Sequence, residues 1–244
     1  MTAPTKTQMA QNALLSVLNE TDRTRLQPHM LAVDMEAHGV LCHSGQDVVD
    51  TWFPCADALA AFCISGREGH AVDVGFVGRE GAIGGIVSNG HIPSYSTVVV
   101  RIPGLFLRIK TTALEQAKLD SLSLRHWLSR YSDCLLAQVF QTSACNALHT
   151  IQQRVAKHIL SGLARTGESE LRMTQDQLAD MLGVGRTFVS RVLGGMRKDG
   201  VIDTRRGYLV IRNLPALKAM SCSCNAAIED HFDTVLHGIY PMPA

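Results

Sequence analysis

The first twenty residues, Met1 to Glu20, lack the continuous apolar core of an export signal, and no later stretch approaches the length needed to cross a bilayer. The expectation is a cytoplasmic protein without a membrane partner. Low-complexity tracts are missing as well. With 46% hydrophobic and 18% charged residues, a fibrous or disordered chain is excluded. A disulfide framework is absent too. The seven cysteines (Cys42, Cys55, Cys63, Cys134, Cys145, Cys222 and Cys224) are odd in number and scattered through a chain too large to need staples, which fits a reducing compartment. Neither a nucleophile–base constellation nor a metal-ligand spacing stands out, so no enzyme and no cofactor are expected.

Net charge is nearly absent, at +1, but it is unevenly spread. From Ile151 to Asn213 there are eleven Lys or Arg against six Asp or Glu, whereas the remainder has twelve against sixteen. The basic segment is the candidate for a polyanion.

The 244 residues suffice for two modest domains. Asn12 to Met30 predicts one or two short amphipathic helices, with Leu14, Leu15 and Leu18 on one face. From about Leu31 to Lys110, short runs of Val, Ile, Phe and Leu punctuated by glycine predict an antiparallel β-roll. Thr97 to Arg101 and Leu105 to Lys110 are its clearest strands, joined by Ile102-Pro103-Gly104. Between Thr112 and Thr150 glycine and proline vanish, which predicts one long helix. Leu124, Leu128, Tyr131 and Leu135 recur there at spacings of four, three and four, the pattern of a dimer seam; packing on the chain's own β-domain is the competing reading. Leu214 to Ala244 reads as one more helix ending at Gly238, with a loose Pro241-Met242-Pro243-Ala244 tail. The boundaries so implied are 1–111 for the lead-in and β-roll, 112–150 for the dimerisation helix and hinge, 151–213 for a winged helix-turn-helix, and 214–244 for a helical tail.

The most informative stretch is MTQDQLADMLGVGRTFVSRVLGGMRKDGVIDTRRGYLVIRN, Met173 to Asn213. Thr174 with Gln177 forms a capping box that starts a helix, and Gly183 is suited to ending it. A second helix from about Arg186 to Lys198 turns Val189, Val192, Leu193 and Met196 inward, which leaves Arg186, Thr187, Ser190 and Arg191 together outside. Arginine pairs bidentately with guanine and short hydroxyls suit bases or phosphates, so this face predicts base-edge contacts in a major groove. Val201-Ile202-Asp203 and Tyr208-Leu209-Val210-Ile211 predict a hairpin across Arg205-Arg206-Gly207. Arg205 and Arg206 on this wing, with Arg197, Lys198 and Thr174, are candidate phosphate contacts. Gly194-Gly195 costs about 1 kcal/mol per glycine relative to Ala inside a helix, which predicts a short or loose second helix.

These residues resemble the Crp/Fnr family of bacterial transcription regulators. QLADMLGVGRTFVSRVL resembles its DNA-binding signature, and DTWFP with GREGHAVDVGFVGREGAIGG resembles its β-roll sensor domain. The resemblance implies an α+β chain: an N-terminal antiparallel β-roll of cyclic-nucleotide-binding type, a long dimerisation helix, and a C-terminal winged helix-turn-helix. It also implies a homodimer on inverted-repeat double-stranded DNA, with RNA polymerase as a further partner. Arg186, Thr187 and Arg191 match the family's base-reading positions, though Thr187 stands where the family usually has Glu. Cyclic-nucleotide binders in the family use an Arg followed by a small hydroxyl residue for the cyclic phosphate; the corresponding Ser94-Tyr95-Ser96-Thr97 holds no cation, which argues against cyclic AMP, Arg79 or Arg101 in an altered pose being the alternative source of charge. Arg79, Glu80, Ser94 and Ser96 remain the candidate sensor pocket, with the effector unknown. The absence of any cysteine before Cys42 excludes the family's usual iron–sulfur sensor.

Two alternatives accompany this reading. One is a thiol- or metal-responsive regulator using Cys222 and Cys224, against which stands the plain account of two small residues with only distant His231 and His237 nearby. The other is a cupin-like metal enzyme fused to a helix-turn-helix, although His38, His43, His70 and His91 form no H-x-H pair.

Overall fold

The computed structural model describes residues 2–65, 71–88, 90–166 and 170–241. Gly66 to His70 of the sensor-like motif, Gly167 to Ser169, and Met242-Pro243-Ala244 of the tail lie outside the described residues.

The chain divides into two compact units, one formed by Met1–Cys63, Gly75–Ala137 and Asp230–Ala244, the other by Ile64–Val74 and Gln138–Glu229. The first opens with three short helices, α1 (Lys6–Met9), α2 (Ala13–Ser16) and α3 (Glu20–Leu26). Each begins on a side chain that satisfies orphan amides: Thr5 for α1, Asn12 for α2 and Asn19 for α3. Seven strands follow: β1 (Met30–Met35), β2 (Val40–Cys42), β3 (Asp50–Pro54), β4 (Leu59–Ser65), β5 (Ala71–Val77), β6 (Thr97–Ile102) and β7 (Gly104–Lys110). They form two sheets, β1-β7-β3 and β2-β6-β4-β5, in which β1 and β3 pair antiparallel with β7, and β2 and β4 antiparallel with β6, as the β-roll pattern predicts.

Helices α4 (Thr111–Asp120) and α5 (Leu122–Leu148) replace the single long helix expected from the absence of glycine and proline. The break falls at Ser121, whose backbone is extended and whose hydroxyl accepts from the Leu124 amide at 3.2 Å and donates to Asp22 at 3.0 Å. A serine that caps a new helix interrupts the old one without any breaker residue.

Along α5, Leu124, Leu128 and Tyr131 are each 1% exposed and join a core with Leu14, Leu18, Phe53, Leu107 and Ile109. Leu135 packs on a second cluster containing Trp52, Val98, Val100 and Phe106. The stripe read as a dimer seam is thus the inward face of the helix, a correction the spacing could not supply, because both partners produce the same periodicity. Outside this stripe, Leu136, Val139, Phe140 and Leu148 of α5 are exposed.

The glycines of the GREGAIGG motif mark close approaches. Tyr131 lies against Gly81 and donates to the Ala82 carbonyl at 3.1 Å, leaving no room for a Cβ there. Gly84 has φ +85° and meets the Asp50 carbonyl.

The second unit contains α6 (Ile151–Thr166), β8 (Glu170–Arg172), α7 (Gln175–Leu182), α8 (Arg186–Lys198), β9 (Ile202–Arg205), β10 (Tyr208–Ile211) and α9 (Leu214–Met220). Strand β8, missed in the sequence because it is three residues long, pairs with β10, giving the sheet β8-β10-β9. The single C-terminal helix expected is two, α9 and α10 (Cys224–Leu236), interrupted at Ser221-Cys222-Ser223. Within the first unit, Phe232 packs edge-on against Tyr131, Tyr240 packs tilted against Trp127, and the Tyr240 hydroxyl donates to Asp22. Burial, followed by that carboxylate, pushes the Tyr240 pKa above its ordinary value.

Candidate nucleic-acid interface

Helix α7 starts on the predicted capping box: the Thr174 hydroxyl accepts from the Gln177 amide at 3.1 Å, and the Gln177 side chain accepts from the Thr174 amide at 2.8 Å. It ends on Gly183, whose φ of +64° is the left-handed cap conformation. Leu178, Ala179, Met181 and Leu182 are buried beneath it.

Helix α8 then runs unbroken from Arg186 to Lys198 through Gly194-Gly195, so the loose helix expected there is not seen. Met196, 1% exposed and beyond both glycines, anchors the last turn to the core and offsets their low propensity. Val189 and Leu193 share that buried face; Val192, expected inside, is half-buried. Arg186, Thr187, Ser190 and Arg191 are all exposed at the start of the helix. Their local partners are weakly held: Arg186 meets Asp176 at 3.3 Å across exposed side chains, and the Ser190 hydroxyl donates to Gln175 at 2.6 Å. Phe188, 51% exposed, was not singled out in the sequence. Its ring lies 5.5 Å from the Arg191 guanidinium, a cation–π contact that limits the orientations of that arginine.

The hairpin β9–β10 pairs Arg205 with Tyr208, leaving Arg206 and Gly207 as a two-residue turn with Gly207 at φ +79°. Arg206 and Lys198 are exposed, Arg205 contacts Glu170 at 3.5 Å, and Arg197 donates to the Thr204 hydroxyl at 3.3 Å. At the base of the wing the Thr204 amide, then Arg212, hold the Asp203 carboxyl below the usual carboxylate range. The exposed edge therefore carries predominantly cationic side chains on both α8 and the wing.

The candidate sensor residues do not converge. Arg79 is exposed on the loop after β5, Glu80 accepts from the Gly78 amide at 2.9 Å, and Ser94 donates to the Ser96 carbonyl at 2.7 Å, while Ser96 is buried. None of the four lines the groove of about 550 Å³ formed by, among others, Asp47, His91, Lys110, Thr111 and Glu115. Cys222 and Cys224 are not isolated: Cys145 of α5 and His149 just after it come beside them, a correction to the reading that only His231 and His237 were at hand. A separation of 73 residues in the chain concealed this.

This geometry defines a winged helix-turn-helix of DNA-binding type following an antiparallel β-roll. Residues 153–220 match the family model described as a Crp-like helix-turn-helix domain. Over most of its length the chain has the fold of Crp/Fnr regulators. It is similar to a transcriptional regulator of that family from Eubacterium rectale (15% identity, TM-score 0.68, covering 85% of this chain and 97% of that one). It is also similar to FixK2 from Bradyrhizobium japonicum (16% identity, TM-score 0.69, 79% and 98%) and to TTHB099, a CRP-family regulator from Thermus thermophilus (15% identity, TM-score 0.66, 78% and 96%). No curated protein matches the chain. No described helix is long and apolar enough to cross a membrane.

Proposed function

We propose that the protein is a sequence-specific transcription regulator that binds an inverted-repeat DNA site as a homodimer, acting by binding and not as an enzyme. One observation carries this reading: the first turns of α8 expose Arg186, Thr187, Ser190 and Arg191 on one face while Val189, Leu193 and Met196 hold the other face in the core. A helix so mounted presents its N-terminal side chains to base edges. Thr174, Arg197, Lys198, Arg205 and Arg206 position it on phosphates, which supply affinity without sequence information.

Two recognition helices must meet major grooves about 34 Å apart, which requires a second copy. Because Leu124, Leu128 and Tyr131 are used internally, the pairing surface is assigned to the exposed face of α5 that carries Val139 and Phe140. RNA polymerase is the further partner of a regulator that activates, and the compartment is the cytoplasm.

The effector is not cyclic AMP. The loop entering β6, Ser94-Tyr95-Ser96-Thr97, offers hydroxyls and no cation for a buried cyclic phosphate, and its Ser94 hydroxyl is already donated to the backbone.

Selection of genomic fragments on purified protein, followed by sequencing, tests the proposal. The expected result is an enriched inverted repeat bound by two chains, with binding unchanged by added cyclic AMP. A monomer that retains no fragment over scrambled competitor would end it.

A further inference from the structure

Outside the DNA-reading surface, one cluster in the second unit gathers chemistry that the regulator fold does not require. Cys145 lies in the last turn of α5, and His149, the first residue beyond it, donates its amide to the Cys145 carbonyl at 3.1 Å, so the two stand one turn apart; Cys224 opens α10 and Cys222 lies two residues before it. The three sulfurs and one imidazole nitrogen all lie within 4.8 Å of one another. The edges of this tetrahedron are informative. A zinc ion with ordinary Zn–S and Zn–N bonds in tetrahedral geometry sets S···S edges of about 3.8 Å and S···N edges of about 3.6 Å. Cys145 Sγ and Cys222 Sγ are 3.7 Å apart, and Cys224 Sγ and His149 Nδ1 are 3.5 Å apart.

The surroundings independently call for negative charge. Lys157 on α6 is 6% exposed, and its ammonium is 3.4 Å from Cys145 Sγ. Burying an ammonium is costly unless an anion meets it, and a neutral thiol is a poor acceptor. Gln141 Nε2 likewise donates to Cys224 Sγ at 3.2 Å. Donors aimed at sulfur are what thiolates require. Three thiolates around a divalent ion leave one negative charge, which Lys157 neutralises.

We propose that Cys145, His149, Cys222 and Cys224 form a binding site for a single thiophilic divalent cation of the zinc class. The site is closed by four protein ligands, which makes it structural rather than catalytic. It joins the C-terminal end of α5 to the start of α10. A polynuclear iron–sulfur cluster would need its ligands farther apart than these edges allow. A disulfide would use two of the sulfurs and leave the imidazole and the third thiol without a role.

The test uses the full chain purified under reductant without chelator. The expected result is one zinc per chain by elemental analysis. Replacing it with Co²⁺ should give thiolate-to-cobalt charge-transfer absorption and the d–d bands of tetrahedral coordination. Cys145→Ser and Cys224→Ser should each weaken Co²⁺ binding at least tenfold, and Lys157→Met should weaken it by about tenfold through loss of the compensating charge. Cys42→Ser should leave it unchanged. If a cysteine variant fails to fold, thiol titration of the native chain decides: a chelator should expose Cys145, Cys222 and Cys224 to a thiol reagent that zinc had blocked. A reduced chain that takes up neither Zn²⁺ nor Co²⁺ would mean a thiol cluster only, and a Cys145–Cys222 disulfide in the reductant-purified protein would mean a redox pair; either overturns the proposal. The readouts do not involve DNA, so their failure is separable from failure of the regulator reading.

Discussion

Substituting Gly81 by alanine probes how tightly the GREGAIGG loop is fitted to α5. A Cβ built at this position would stand 2.1 Å from the Tyr131 hydroxyl oxygen and 2.6 Å from the ring carbon that bears it, inside any tolerable contact. The ring has little freedom to withdraw, because Tyr131 is 1% exposed and packs edge-on against Phe232. Displacing it breaks the hydrogen bond to the Ala82 carbonyl. Leaving that buried acceptor unpaired costs about 1–3 kcal/mol. Overpacking adds about 1–3 kcal/mol, partly offset by the roughly 0.4–1 kcal/mol that alanine recovers by restricting the unfolded chain. The expected net loss is about 1–5.5 kcal/mol, read as a lowered midpoint in urea denaturation. In a Tyr131→Leu background the obstructing atoms are gone, and Gly81→Ala should then cost less than about 1 kcal/mol. A neutral Gly81→Ala in the native background, or an equal cost in both backgrounds, would refute the reasoning.

Other outcomes follow from the same geometry. Arg191→Ala should cost about 1–3 kcal/mol on the selected site and relax preference at one base position, whereas Arg206→Ala should weaken specific and random duplexes alike and lower the salt slope by about one; fluorescence anisotropy across a salt series distinguishes them, and equal losses on both duplexes for Arg191→Ala would remove it from the base-reading set. Gly195 is exposed, helical and has nothing within 4 Å of a built Cβ, so Gly195→Ala should stabilise by about 1 kcal/mol in thermal unfolding. Thr174→Ala removes the capping hydroxyl and should destabilise by about 1 kcal/mol. Burial pushes the Cys55 thiol from 9.0 up to about 12. The raised folded value makes its contribution fully present below pH 9.0 and progressively lost as pH rises toward about 12. The fall in stability across that alkaline window should be shallower in Cys55→Ala than in the native chain.

The two units differ in how much of them could be read in advance. The helix-turn-helix was legible nearly residue by residue, because its determinants are local. The capping box at Thr174, the left-handed Gly183 and the inward Val189, Leu193 and Met196 all act within a few residues of one another. The β-roll was legible in outline, since alternating apolar runs and glycine turns specify strands but not their order. The break at Ser121 was not, because a serine cap leaves no signature as strong as proline. Nor did the sequence show Phe188 beneath Arg191, whose aromatic ring reads as one more core residue until its surroundings are known.

The amino-acid order alone determined that two short helices and a basic hairpin would present an arginine-bearing face, since helix caps, periodicity and turn chemistry are settled by near neighbours. Tertiary structure alone decided which side of α5 is inward and which thiols meet. Those outcomes depend on chain closure over long separations: Leu128 against Leu14, and Cys145 against Cys222. A spacing of three and four shows that a stripe will be buried, but only the folded chain shows what buries it.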